Sequence, residues 1–458
     1  MDRRIMGIET EYGVTCALAS GKALTPDEVA RYLFADVVAQ NRSSNVFLPN
    51  GGRLYLDVGN HPEYATAECD SLPDLLAQER AGTAVMQDLV DQAQRRMSED
   101  GVSGQVFLLK NNVDSVGNAF GCHENYLVSR ATDLTVLTNV LVPFLVTRQI
   151  ICGAGRIVPR RDGSAFFAVS QRAELTWEGA SSATTRSRPM INTRDEPHAE
   201  AARFRRLHVI VGDSSMAESS TMVKVAAMDL VLRALEAGAS VPSLMPAQIS
   251  GAIRAVSTDL SGRGMYRTVE GRSVTALEVQ RIYHAMVADH LAACGPARPW
   301  DHEAVTLWGD IVSALEQDEP LRVAAHVDWI AKWALLSRQA ERYDLTWEDA
   351  RLRQLDVLYH DINPARGLAA KLEASGVLQR WTSAEQVTDA VRRPPQTTRA
   401  ALRGAFLSAA HHFRREVTAD WTHLRWEGGS ERSVVCQDPF ASSDSRVDEL
   451  IQLMERVR

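Results

Sequence analysis

The stretch Arg53-Leu54-Tyr55-Leu56-Asp57 decides how this chain is read. It alternates polar residues with leucine. On a β-strand alternate side chains share a face, so Arg53, Tyr55 and Asp57 project together while Leu54 and Leu56 face the other way. Asn50-Gly51-Gly52, just ahead, is a turn signal, and Val46-Phe47-Leu48 before it supplies the other arm of a hairpin. His61-Pro62-Glu63-Tyr64-Ala65-Thr66 follows closely, and far upstream Glu9-Thr10-Glu11 places two more carboxylates on one strand face. A cation, a phenol and several acids then share one sheet surface. Ionised carboxylates are rarely buried unless they are paired or coordinate a metal, so this surface suits metal-bound phosphate chemistry better than packing.

Glu9 and Glu11 alone would read as an acidic pair on a solvent-facing strand. Joined with Arg53, Tyr55, Asp57 and Glu63, they read as one site. Asp57 has plain alternatives, a turn acid or a salt-bridge partner of Arg53, beside its reading as a general base near the metal. Thr66 stands three residues from Glu63, against the two-residue alternation. Reaching the same ligand from there requires a bulge or the end of the strand.

Composition narrows the class. The 458 residues are 45% hydrophobic and 24% charged, ordinary for a globular chain, and the net charge of −8 argues against a surface built wholly for nucleic acid. Two local clusters, Arg203 with Arg205 and Arg206, and Arg392 with Arg393, remain open as groove or as solvated face. Six dispersed cysteines without a CxxC pair indicate a reduced, intracellular protein rather than a zinc or disulfide framework. The first residues reach a strand-like acidic segment before an apolar leader develops, so no secretory signal is expected. The most apolar run, near 140–146, contains Pro143 and is soon followed by Arg148, short of the roughly 20 residues that a membrane span needs. A cytoplasmic protein with neither membrane nor nucleic-acid partner is expected.

Along the chain, residues 5–14 read as a strand, and Thr25-Pro26-Asp27-Glu28 opens a helix. A long amphipathic helix is predicted over 76–97. Strands at 105–110 and 122–128, joined by a polar loop, resemble an antiparallel pair. A buried helix is predicted between 134 and 151, strands at 165–169 and 207–212, and a helix over 216–237 ended by Gly238. The region 275–360 reads as mostly helical scaffold. The proline pair Pro394-Pro395 marks a boundary between residues 1–392, the catalytic unit, and 393–458, a small C-terminal domain.

No GxxxxGK[ST] loop is present and no GxGxxG follows a strand, so a nucleotide would have to bind by another route. GxSxG, HExxH and catalytic Cys-His signatures are also absent. His123 and Asn125 share a face of a strand candidate, and His123 reads equally as a core or a site histidine. The loop 181–198 is rich in arginine and hydrogen-bonding groups and poor in core residues, the profile of a functional loop. Trp421 is read as core, or as an indole at a domain seam able to stack on a purine.

Longer strings carry a family likeness. MGIETEYGV at 6–14, SSNVFLPNGGRLYLDVGNHPEYATAECDS at 43–71, NAFGCHENYL at 118–127, SSATTRSRPMINTRDEPHA at 181–199, RLHVIVGDS at 206–214 and PPQTTRAALRG at 394–404 closely resemble the Pup ligases of actinobacteria, the proteasome accessory factor A type. The resemblance implies an α+β, glutamine-synthetase-like fold: a curved antiparallel β-sheet cradle packed with helices, plus a small C-terminal domain. It implies that ATP phosphorylates the side-chain carboxylate of the C-terminal glutamate of Pup, and that a target-protein lysine then forms an isopeptide bond, marking the target for proteasomal degradation. Position by position, Glu9, Tyr55 and Glu63 match the family's Mg²⁺ site, Arg53, Thr66 and Trp421 its ATP contacts, and Asp57 its proton acceptor. Pup itself is expected to be disordered and acidic when free, steered by a basic groove. The sister deamidase and depupylase shares the fold, but the short segment between Glu11 and Arg53 leaves no room for that enzyme's extra loop. A noncatalytic Pup- or nucleotide-binding relative would be expected to have lost Glu9, Glu63 or Asp57, and all three are present.

Overall fold

A computed structural model of the chain describes residues 1–458 apart from 20, 22, 58, 115–116, 184–187, 429–431 and 457–458. Its centre is an eight-stranded sheet in the spatial order Glu178–Ser181, Pro189–Asn192, Phe204–Val209, Cys122–Ser129, Met6–Glu11, His61–Ala65, Arg53–Asp57 and Asn45–Phe47. Every neighbouring pair is antiparallel except the outermost, Glu178–Ser181 with Pro189–Asn192, which is parallel. The α+β class holds, with this one departure from an all-antiparallel sheet. The hairpin around Asn50-Gly51-Gly52 forms as its turn residues require: Gly51 adopts φ +81°, and the Gly52 amide donates to Asn50 Oδ1 at 3.1 Å.

The alternation sorts the two faces. Ile8, Leu54, Tyr64, Tyr126 and Leu207 all turn to one side and are buried there. The helices Leu72–Glu99, Leu134–Cys152 and Glu218–Glu236 supply buried apolar side chains to the same clusters. The helix Leu134–Cys152 runs through Pro143 and is longer than the apolar run suggests. By length and composition it could cross a membrane, yet 67% of its apolar window is buried inside the protein. Its Arg148 lies in that interior, donating from both terminal nitrogens to Glu124 at 2.8 and 2.6 Å, while the Tyr126 hydroxyl donates to the same carboxylate at 2.6 Å. That arrangement satisfies an acid on the core face of the sheet.

Two expectations need correction. The segment 5–14 is two strands, because the chain leaves the large sheet at buried Tyr12: Met6–Glu11 stays there, and Gly13–Leu18 joins a second sheet with Ala23–Leu24 and Gly104–Leu109. The strands predicted at 105–110 and 122–128 consequently do not pair. Gly104–Leu109 binds Gly13–Leu18, while Cys122–Ser129 binds Met6–Glu11 and Phe204–Val209. The polar loop between them crosses from one sheet to the other rather than closing a hairpin.

Beyond Pro395, the helices Ala400–His412 and Ser445–Arg456 and a three-stranded sheet, Val417–Ala419, His423–Trp426 and Arg432–Val435, gather around Phe406, Leu424, Trp426 and Met454 as a hydrophobic cluster of their own.

Candidate active site

Register brings the predicted residues together. Glu11 is the cross-strand partner of Glu63, Glu63 of Tyr55, and Asp57 of His61. On the other side of the central strand Glu9 stands opposite His123, and His208 stands opposite Asn125. One face of the sheet therefore carries Arg53, Tyr55, Asp57, Glu63, Glu9, Glu11, His123 and His208, and an open cleft lies over it. Helices back the other face.

The acids fall into two neighbouring groups. Carboxylate oxygens of Glu11, Asp57 and Glu63 lie within 4.8 Å of one another, and so do ligand atoms of Glu9, His123 and His208. The Tyr55 hydroxyl donates to Glu63. Burial, then Glu9 and Glu11 with Asp57 adding, pushes the Glu63 carboxyl well above its ordinary range, against the lowering effect of Tyr55. Burial, with Glu9 and Glu63 nearby, likewise raises the Tyr55 phenol, so Tyr55 acts here as a donor. Like charges this close either hold a proton or take a cation, and the all-oxygen donor set fits a hard divalent ion.

Glu9 behaves differently. Burial raises its carboxyl, but His208, His123 and Arg206 together outweigh burial and hold it ionised. Burial in turn pushes the His208 imidazole down, against the raising effect of Glu9, and the Arg206 guanidinium 3.7 Å away is the permanent counter-charge to Glu9. Asn125 Nδ2 donates to Glu9 at 2.9 Å and fixes the carboxylate.

Of the nucleotide candidates, Arg53 and Trp421 line this cleft, whereas Thr66 lines a neighbouring pocket. Arg53 donates from Nε to Asn45 Oδ1 at 2.9 Å, and its guanidinium lies 4.3 Å over the Tyr55 ring. Thr66 sits just past the end of its strand. Its amide donates to the Ile8 carbonyl at 2.9 Å, and its Oγ1 accepts from the Ile8 amide at 3.1 Å. Pairing resumes between Met6 and Cys69, so Ala67 and Glu68 together oppose Gly7 alone. That extra residue is a bulge, but it lies beyond Thr66 rather than between Glu63 and Thr66, so of the two expected routes it is the end of the strand at Ala65 that applies to Thr66. Thr66 lines a smaller, mainly apolar pocket shared with Trp421, and Trp421 also lines the main cleft.

The Pup-ligase protein family model matches residues 4–425. The chain belongs to the Pup ligase family. It is 51% identical over 454 residues to the Pup–protein ligase of Mycobacteroides abscessus, covering 99% of this chain and 100% of that one, and 52% identical over the same shares to that of Nocardia farcinica. Among solved structures, it superposes with a TM-score of 0.95 and 44% identity on a chain in the complex between prokaryotic ubiquitin-like protein Pup and its ligase PafA, covering 99% of this chain and 92% of that one. A second match, the Pup ligase PafA in complex with ADP, has a TM-score of 0.86 at 44% identity over 94% of each chain.

Some residues that line the cleft of this Pup ligase family member are hard to find in sequence. His208 lies in an apolar strand, and only the shared face of Phe204, Arg206 and His208 hints at its direction. Arg172 follows a short strand from which no motif points to it. Its Nη1 donates to the Phe120 carbonyl at 2.6 Å on the cleft wall. The cluster Arg203, Arg205, Arg206 is not one patch, because alternation sends Arg206 into the cleft and Arg205 away, while Arg203 pairs with Glu200 at the surface. Of the arginine-rich loop, Arg188 and Arg194 line the cleft, and residues 184–187 lie outside the described residues, as does Val58 beside Asp57.

Proposed function

We propose that the chain is an ATP-dependent ligase that activates the side-chain carboxylate of the C-terminal glutamate of Pup and joins it to lysines of target proteins, marking them for proteasomal degradation. The observation that carries this is the acidic sheet face flanked by arginines, in a chain that matches Pup–protein ligases along their whole length.

The chemistry has two steps. A carboxylate resists attack by an amine until one oxygen is made a leaving group. The γ-phosphoryl of ATP passes to the glutamate oxygen, the β–γ bridge bond breaks, and ADP departs. The lysine nitrogen then bonds to the acyl carbon and phosphate leaves. Glu9, Tyr55 and Glu63, with Glu11 beside them, would hold Mg²⁺, which when bound neutralises phosphate charge. Arg53, Thr66 and Trp421 would hold the nucleotide, and the arginines of the cleft wall would receive anionic groups. A lysine has a reference pKa of about 10.4 and arrives protonated, so a base is needed. Asp57, at the end of its strand and partly exposed, would take that proton.

An open cleft admits a lysine on a folded protein, as a conjugating enzyme requires. The six cysteines are unpaired, which accords with a cytoplasmic enzyme. Residues 393–458 act in this scheme as a small domain that carries Trp421 to the site.

The test combines purified chain, Pup, ATP, Mg²⁺ and a lysine-bearing protein. A covalent conjugate formed with ATP consumption supports ligation. Ammonia released from glutamine-ended Pup without conjugation would indicate the deamidase, and binding without turnover a noncatalytic relative.

A further inference from the structure

Arg403 lies at the convergence of three parts of the molecule that the proposed nucleotide site needs together. It is almost fully buried, 2% exposed, on the helix Ala400–His412. Its Nη2 donates to the Gly51 carbonyl at 3.0 Å, in the turn that leads directly into Arg53, and to the Glu68 carboxylate, one residue past Ala67 in the bulge beside Thr66. Its Nη1 donates to the backbone carbonyl of Trp421 at 3.2 Å. The same guanidinium lies 5.0 Å from the ring centroids of both Phe47 and Trp421, and those two rings meet edge to face at 4.9 Å. One cation thus touches the turn before Arg53, the bulge after Thr66, and both the backbone and ring of Trp421.

The surrounding packing fixes this arrangement. A side chain at Gly51 would meet Ala67, Ala400 and Pro394 at 3.1 Å, and one at Gly404, next to Arg403, would come within 2.5 Å of the Pro49 carbonyl. The helix and the turn are pressed together with glycine on both sides of the contact. Glu68 also accepts from Arg399 Nε at 2.8 Å, so Arg403 and the residue just before the helix converge on one acid of the bulge. A planar guanidinium can serve several acceptors and two ring faces at once, which the ammonium of lysine cannot.

We propose that Arg403 is a positioning residue for the nucleotide: by bridging the Gly51 turn, Glu68 and Trp421, it sets the indole against the catalytic sheet in the orientation that ATP meets. This inference rests on the proposed function, and it adds that nucleotide affinity is determined in part from behind the site, through the docking of the C-terminal unit. On this proposal the contact does not set Pup affinity.

The experiment compares the full-length parent, R403K, W421A and the double variant by calorimetric titration with ATP and Mg²⁺, alongside steady-state conjugation and thermal melting. In R403K the ATP Kd rises roughly tenfold, as expected for loss of a buried ring-stacked hydrogen-bond hub. The KM for Pup stays within twofold of the parent, and the double variant binds ATP no more weakly than W421A. Parent-like ATP binding by folded R403K, or losses in the double variant that add, overturns the proposal. Should R403K fail to fold, E68Q leaves Arg403 in place while removing its charge partner. A raised ATP Kd with unchanged Pup KM then supports the role, and parent-like ATP binding overturns it. A parent chain that conjugates Pup with either result in the variants keeps the proposed function intact; one that binds no ATP overturns both.

Discussion

Tyr55 and Glu63 are cross-strand partners, and the Tyr55 hydroxyl donates to the Glu63 carboxylate in the middle of the acidic face. The phenol organises the acid most strongly repelled by its neighbours, since Glu63 is pressed by Glu9, Glu11 and Asp57 as well as by burial. Y55F removes the hydroxyl and keeps the ring under Arg53. Conjugation should fall roughly 10- to 100-fold, the usual loss when the support of a metal ligand is removed. Activity titrated against Mg²⁺ should shift to higher concentration, with an unchanged far-ultraviolet spectrum. A Mg²⁺ curve that overlays the parent's would exclude Tyr55 from the metal site.

Asp57 shares the acidic cluster but stands at its more exposed edge. D57N preserves shape and removes the base. Nucleotide binding should persist while conjugation drops by about 10²- to 10⁴-fold, the range supplied by general bases. Calorimetry with ATP and a single-turnover conjugation assay separate the two. Equal rates in D57N and the parent would remove Asp57 from the proton transfer.

Much of this site is legible in the amino-acid sequence, for reasons that are local. Asn50-Gly51-Gly52 specifies a turn by its backbone preferences, and once the hairpin forms, the period of two places Arg53, Tyr55 and Asp57 on one face. The register between Met6–Glu11 and its neighbours is non-local. Nothing within residues 105–128 says that its two strands belong to different sheets, because Gly104–Leu109 pairs with Gly13–Leu18 and Cys122–Ser129 with Met6–Glu11 and Phe204–Val209, all far from them in sequence. Glu124 shows the same limit. It sits between His123 and Asn125 in sequence, yet faces the core, neutralised by Arg148 on a helix that sequence reading alone cannot dock there. His208 is obscured for the converse reason: a single histidine among valine, leucine and isoleucine looks like packing until its strand is paired.

The buried ion cluster beneath the C-terminal unit has an acid signature. Burial raises the Glu68 carboxyl, but Arg403 and Arg399 outweigh it and hold the acid at about 2, below its ordinary 4.5. A group whose folded pKa is depressed contributes stability that is complete above the unfolded value and is lost as pH falls through the folded one. Melting temperature should therefore decline between pH 4.5 and 2 as this contribution disappears. E68Q should lower the melting point at neutral pH, with about 3–5 kcal/mol lost from an unbalanced buried pair, and should flatten that acid decline. Parallel pH profiles for E68Q and the parent would show that the stability loss arises elsewhere.

Arg206 differs from its sequence neighbours in the direction of its side chain. It faces Glu9 at 3.7 Å and Glu196 at 3.4 Å across the cleft, whereas Arg203 is 63% exposed at the side chain and pairs with Glu200 near it in sequence. Removing Arg206 takes away the permanent positive charge that balances Glu9, while an exposed pair such as Arg203 with Glu200 contributes only about 0–1 kcal/mol. R206A should therefore reduce conjugation at least about tenfold, and R203A and R205A should each remain within about twofold, because charge acts here through burial and proximity rather than through clustering in sequence. Steady-state conjugation at two ionic strengths checks this. The R206A defect should persist at high salt, since partly buried pairs are weakly screened, whereas any small effect of R203A should vanish. Equal defects in all three variants would mean that the arginines act together as a surface patch, in conflict with the alternation of the strand that carries them.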